Sequence, residues 1–172
     1  FFTGNSEYGE IAARNIRTWF LDKETRMNPS LHFAQVRGNH GKVNEAGIVE
    51  MKDVYFLLDA IRILEAGWLL TKVESMGLKL WFTNFLQWME AIDIEHVRDN
   101  YGIHYDVQAL SISAFLTNLT KKERIGNPTK LQKTMHEALV RMKSSIATDG
   151  SMPHELTRAN CEHTQMYALQ GW

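Results

Sequence analysis

An all-α fold follows from three features of this 172-residue chain. Proline is scarce, with only three in the sequence. Strict apolar–polar alternation is rare, so half-buried strands have little to build on. Most long segments instead place apolar side chains at the three- and four-residue spacing of one helix face.

The elements can be taken in order. Glu7 to Leu21 puts Ala12, Ile16, Trp19 and Phe20 on one face of a first helix. Asp22 to Pro29 ends it with polar residues and a proline. Ser30 to Glu50 is irregular, with Gly38, Gly41 and Gly47 as breakers. A long polar loop inside a compact domain is more often functional or mobile than inert. Asp53 to Ala66 is a second helix with Val54, Leu57, Leu58, Ile61 and Leu64 on its stripe, closed by Gly67. Lys72 to Ile92 is a third, lined by Trp81, Phe85, Trp88, Met89 and Ile92, with Met76 and Leu80 extending the stripe. A fourth helix, from about Tyr105 to Thr120, is apolar nearly all round and is expected to be buried on most sides. Asn127-Pro128 pairs a capping side chain with a first-turn proline. The fifth helix it opens sets Leu131, Met135, Leu139, Met142 and Ile146 on one stripe. Asp149-Gly150 marks a turn. The tail from Pro153 is expected to start extended and return to helix near Gln165.

Length and composition set bounds. The chain suffices for one domain with a sizeable core. A net charge of −1 argues against a general nucleic-acid or anionic-membrane binder, yet leaves room for a local basic cleft. The single Cys161 excludes an internal disulfide and any multi-cysteine metal site within the chain. No apolar run approaches the roughly 20 residues of a membrane span. No signal peptide is visible. The opening Phe1-Phe2-Thr3-Gly4 reads as the end of a helix entering a turn, so residues 1–172 read as a single partial domain with both flanks missing.

The most chemically dense stretch is Asp99-Asn100-Tyr101-Gly102-Ile103-His104-Tyr105-Asp106-Val107-Gln108. It gathers amides, phenols, an imidazole and carboxylates at the mouth of the buried helix. It resembles a motif of alginate-lyase-like proteins, helical polysaccharide lyases that carry an Asn-Asn-His-Gly segment followed by Tyr-Asp-Val-Gln. Asn100, Gly102 and Tyr105-Asp106-Val107-Gln108 match, and Tyr101 replaces the histidine. Other stretches are similar to the family in the same order. They are Trp19-Phe20-Leu21-Asp22, Met27-Asn28-Pro29, Leu31 with Phe33-Ala34-Gln35, and Gly47-Ile48-Val49-Glu50. Asp149-Gly150-Ser151 with Pro153, then Glu155-Leu156 with Arg158, resemble an Asp-Gly-Ser-x-Pro-x-Glu-Leu-x-Arg signature. Each motif alone is weak, but the colinear set runs from Phe2 to Leu169. The resemblance implies an α/α toroid, incomplete at this length. It implies eliminative cleavage of an acidic, uronate-containing polysaccharide without metal or cofactor, in a secreted or periplasmic setting.

That chemistry has definite needs. A uronate C5 proton is weakly acidic until its carboxylate is neutralised and the developing enolate is held by positioned donors. A base then takes the proton and an acid protonates the departing O4. The resemblance makes Asn100 a donor to the substrate carboxylate, where a helix cap is the plain alternative. Arg158 is the cationic partner, or else forms an ion pair with Glu155 or Glu162. His163 matches a histidine of the family's Trp-His-Tyr-Ser segment, or is a structural histidine. Thr164 stands where the family's catalytic tyrosine is expected. Tyr101, or Tyr167 one helical turn beyond Thr164, can restore a phenol. Asn100, Tyr101, Arg158 and His163 are therefore expected on one concave surface.

Substrate-binding candidates are His32, Gln35, Arg37, His104 and Tyr105. His32, Gln35, Arg37, Asn39 and His40 either line a sugar cleft or form a solvated loop. His32 and His40 are too loosely spaced to argue for a metal. His104 and Asp106 can bind each other or cap the next helix, and structure is favoured for Asp106. Trp81, Phe85 and Trp88 can stack on sugar, although helical spacing favours core. Two other classes stay open. One is a non-catalytic glycan-binding scaffold that has lost its acid and base. The other is a glycoside hydrolase drawing two facing carboxylates from Glu50, Asp99, Asp106 and Glu155.

Overall fold

The computed structural model describes residues 3–34, 45–94, 97–117 and 128–171. Among these residues the chain forms seven α-helices and no strand, which agrees with the all-α expectation. Helix α1 spans Ser6–Ile16 and is capped by the Asn5 side chain, which accepts the Glu7 N–H at 2.9 Å. It runs on into a single π-helical turn, Arg17–Leu21, closed by the Asp22 N–H donating to the Arg17 carbonyl. The wider turn rotates the stripe expected of a continuous α-helix. Ala13, Ile16 and Phe20 are buried, whereas Trp19 faces outward at 59% exposure.

A 3-10 turn, Glu45–Met51, leads into α2, Val54–Ala66, which buries Val54, Leu58, Ile61 and Leu64. Gly67 closes α2 at an ordinary negative φ. The left-handed residue is Trp68, at φ 58°, in a region that bulky side chains seldom occupy. Helix α3, Lys72–Glu90, starts with a reciprocal capping box between Thr71 and Glu74. Arg17 donates to the Glu74 carboxylate and to the Leu69 carbonyl, tying the π turn to the start of α3. Leu78, Trp81, Phe82, Phe85, Leu86 and Met89 are buried. Met76 and Leu80, expected to extend the buried stripe, are exposed instead. Trp81 stacks on Phe85 at 5.3 Å and donates its indole N–H to the Met27 carbonyl at 2.8 Å. Trp81 and Phe85 are therefore core, as their helical spacing favoured.

Helix α4, Asn100–Thr117, is central and packs against α2, α3, the 3-10 turn and two later helices, Pro128–Ser145 and Cys161–Leu169. It is buried on most sides, as its apolar circumference predicted. It starts five residues before the expected Tyr105, because carboxylates from Asp99 and Glu155 accept its first N–H groups.

Helix α5, Pro128–Ser145, corrects the expected stripe. Met135, Leu139 and Met142 are exposed, while Ala138, Arg141 and Ser145 are buried against α4. Arg141 decides the face. Its Nε donates to buried Asp106 at 2.8 Å, and its Nη1 donates to the carbonyls of Ile94 and Val97. The turn at Asp149-Gly150 is present, with Gly150 at φ 85°. The tail is more helical than expected, with α6 at Pro153–Leu156 and α7 at Cys161–Leu169. Helix α7 starts at Cys161 rather than near Gln165, with the Thr164 N–H donating to the Asn160 carbonyl at 3.0 Å. A small satellite core of Ile103, Met152 and Ala168 seats this tail on α4.

Candidate active site

The first turn of α4 and the α6–α7 tail meet around one carboxylate. Glu155, only 2% exposed, accepts the Asn100 backbone N–H at 2.5 Å. Both of its oxygens also accept from the Asn100 side-chain amide, each at 3.1 Å. Asn100 is 4% exposed, so in this structure its amide faces Glu155. Asp99 accepts the Tyr101 N–H, which makes it the local cap of α4. Negative charge at a helix N-terminus is favoured by the peptide dipoles there.

Arg158 balances both acids. Its Nη2 donates to Asp99, and its Nε lies 3.4 Å from a Glu155 oxygen. The ion pair with Glu155, one of the two alternatives for Arg158, is thus formed. The guanidinium carbon also sits 5.4 Å from the Tyr101 ring centroid, a cation–π distance. Its side chain remains 33% exposed.

A second group adjoins the first. The Tyr167 ring lies 4.3 Å from His104 and 6.2 Å from His163, parallel to the latter. Lys52 Nζ stands 6.0 Å from the same ring. Burial raises the Tyr167 phenol above its usual pKa against the pull of Lys52. Asp53, Glu50 and Tyr101 add to that rise. Burial lowers the His104 imidazole, and Lys52 lowers it further. The Thr164 hydroxyl donates back to the Cys161 carbonyl at 3.2 Å, an ordinary helix-interior contact.

The fold thus brings Asn100, Tyr101, Arg158, His163 and Tyr167 into adjoining groups, with His104 beside them. His32 lies elsewhere, edge-on to Trp88 at 5.5 Å. Tyr105 is 8% exposed and, with Asp106 and Ala109, lines a cleft of ≈1120 Å³ between α4 and α5. His104 and Asp106 do not meet: His104 packs on Tyr167, while Asp106 pairs with Arg141. Gln35, Arg37, Asn39 and His40 lie outside the described residues. The ion pair of Glu155 with Arg158 was legible from their spacing, but the contact of Glu155 with Asn100, 55 residues away, was missed. Lys52 was missed as well, since nothing local in sequence links it to Tyr167.

The alginate lyase family model matches residues 1–172. The chain belongs to the alginate lyase family. Its all-helical architecture agrees with the α/α toroid of that family. No curated protein matches the chain. Within this family the expected substrates are uronate polysaccharides. No helix among the described residues is long and apolar enough to cross a membrane.

Proposed function

We propose that the protein is a polysaccharide lyase that cleaves an acidic, uronate-containing polysaccharide, alginate-like or glucuronan-like, by β-elimination. The observation that supports this reading is Arg158 lying over Tyr101, with Tyr167 held beside His104 and His163. Arg158 neutralises the uronate carboxylate and so acidifies the C5 proton. A phenolate oxygen takes that proton, the C5 electron pair forms the C4=C5 double bond, and O4 leaves with a proton from an acid. Tyr167, with its raised pKa, is protonated near neutral pH and suits the acid. Tyr101, the other phenol, lies beneath the guanidinium and is assigned the base.

A second reading has its own support. Asn100 and Arg158 are already engaged by Glu155 and Asp99, and Tyr101 and Thr164 replace the family's histidine and tyrosine. A glycan-binding scaffold without turnover would look the same. The hydrolase alternative loses two candidates, because Asp106 and Glu155 are buried and committed to Arg141 and Asn100.

The test is an absorbance assay for the unsaturated product on a panel of polyuronates, with Tyr101→Phe and Tyr167→Phe made separately. We expect at least one variant to lose about two or more orders of magnitude in kcat. Full activity in both would pass the proton-transfer role to His163 or His104. Binding without elimination on every polymer would establish the scaffold.

A further inference from the structure

Helix α5 meets α4 through polar groups although apolar ones lie on the same helix. It buries Ala138, Arg141 and Ser145 and leaves Met135, Leu139 and Val140 about half exposed. Arg141 is 7% exposed and its partner Asp106 2%, so both charges are taken out of water. A buried ion pair adds little net stability, and apolar side chains of similar volume often hold such a contact as well or better. The pair therefore calls for a reason other than packing strength.

Its geometry supplies one. Arg141 Nε donates to Asp106 at 2.8 Å, which anchors the guanidinium on α4. Its Nη1 then donates to two carbonyls of the segment before α4, Ile94 at 2.9 Å and Val97 at 2.6 Å. The Val97 carbonyl also accepts from Arg98, at a longer 3.3 Å. Two residues after Val97 comes Asp99, which holds Arg158 and accepts the Tyr101 N–H. Arg158 in turn lies over the Tyr101 ring. A rigid planar fork can hold an acid and two carbonyls in one arrangement, which a flexible lysine cannot reproduce. The contacts thus run from Asp106 through Arg141 and the Val97 segment to Asp99, Arg158 and Tyr101.

We propose that Arg141 is a positioning residue for the candidate active site: anchored on Asp106, it sets the segment before α4 so that Asp99 orients Arg158 over Tyr101. Its effect on turnover rests on the lyase reading. Its effect on the placement of Arg158 does not.

The test replaces both partners together, Asp106→Leu with Arg141→Met, so that no charge is left buried alone. The Trp81 indole N–H, bonded to the Met27 carbonyl in the main core, reports the fold by NMR. The Arg158 side-chain signals, shifted by the Tyr101 ring, report its position. With the Trp81 signal in place, the Arg158 signals are expected to move towards those of a free arginine. In the absorbance assay kcat is expected to fall about tenfold or more, as misplaced groups cost turnover. A role in packing alone would leave both readouts at parent values in the folded double variant. Unmoved Arg158 signals would therefore overturn the proposal, and so would moved signals with parent kcat. If the parent forms no unsaturated product on any polyuronate, the lyase reading falls and the Arg158 signals alone decide the positioning. Should the double variant lose the Trp81 signal, Arg141→Lys is read in the same way, with the same results expected. It keeps a cation beside Asp106 but not the fork.

Discussion

Glu155 accepts from Asn100 three times, once from the backbone and twice from the side-chain amide. A buried carboxylate keeps its charge only where donors of this kind surround it. Asn100→Ala removes two of those contacts and leaves Glu155 with the α4 N-terminus and Arg158. The expected cost is about 1–3 kcal/mol in urea denaturation, and a loss below about 0.5 kcal/mol would mean that Asn100 does not hold Glu155. Asp106 gives a second residue-scale test. Burial raises its carboxyl to about 6, with Arg141 opposing the rise. The native state therefore binds this proton more readily than the unfolded chain does, whose pKa is near 3.9. Stability should fall as pH rises from about 4 to about 6 and then stay level, a contribution of roughly 3 kcal/mol. Asp106→Asn should abolish that slope in denaturation curves across the window. An unchanged slope would place the titration on another group.

At the scale of elements, α4 and α5 approach closely where α4 has no side chain. A Cβ built on Gly102 would meet the Val97 carbonyl oxygen at 2.8 Å and Arg141 Cδ at 2.9 Å. The first of these is backbone and cannot swing aside. Gly102 therefore lets Arg141 cross the first turns of α4 and hold the Ile94 and Val97 carbonyls. That crossing positions the segment leading into Asp99 and Asn100, and it gives the motif glycine a packing reason rather than a conformational one. Gly102→Ala should destabilise the protein by about 1–3 kcal/mol, as overpacking does. Thermal melting would check it, and a melting temperature equal to that of the parent would contradict the close approach.

For the whole molecule, one large core joins α1, the π turn, α2, α3 and α4, and the satellite core carries the α6–α7 tail. Helix α5 contributes little apolar surface to either, and its Met135, Leu139 and Val140 are half-exposed. The larger cleft lies between α4 and α5, on the opposite side of α4 from the Tyr167 group. Replacing Met135 and Leu139 together by Gln should change unfolding free energy by no more than about 0.5 kcal/mol, since neither fills the core. A loss of several kcal/mol in chemical denaturation would restore the stripe that periodicity alone suggests.

The sequence by itself determined the all-helical class, the buried circumference of α4, the turn at Asp149-Gly150 and the family. Each of these rests on local periodicity, turn chemistry or ordered motifs. It also pointed to Asn100, Tyr101, Arg158, His163 and Tyr167, though only as matches to motifs far apart in the chain. Tertiary structure decided the rest. A π turn, which carries no reliable local signal, moved Trp19 outward. A buried Asp106 required a cation, and Arg141 turned α5 away from its apolar stripe. Glu155, more than fifty residues from Asn100, started α4 early and gathered Asn100 and Arg158 around itself. Burial above all raised the Tyr167 pKa, and it left His104 Nε2 without a hydrogen-bond partner among the described residues. Such properties depend on which distant groups share a site, and spacing along the chain does not encode that.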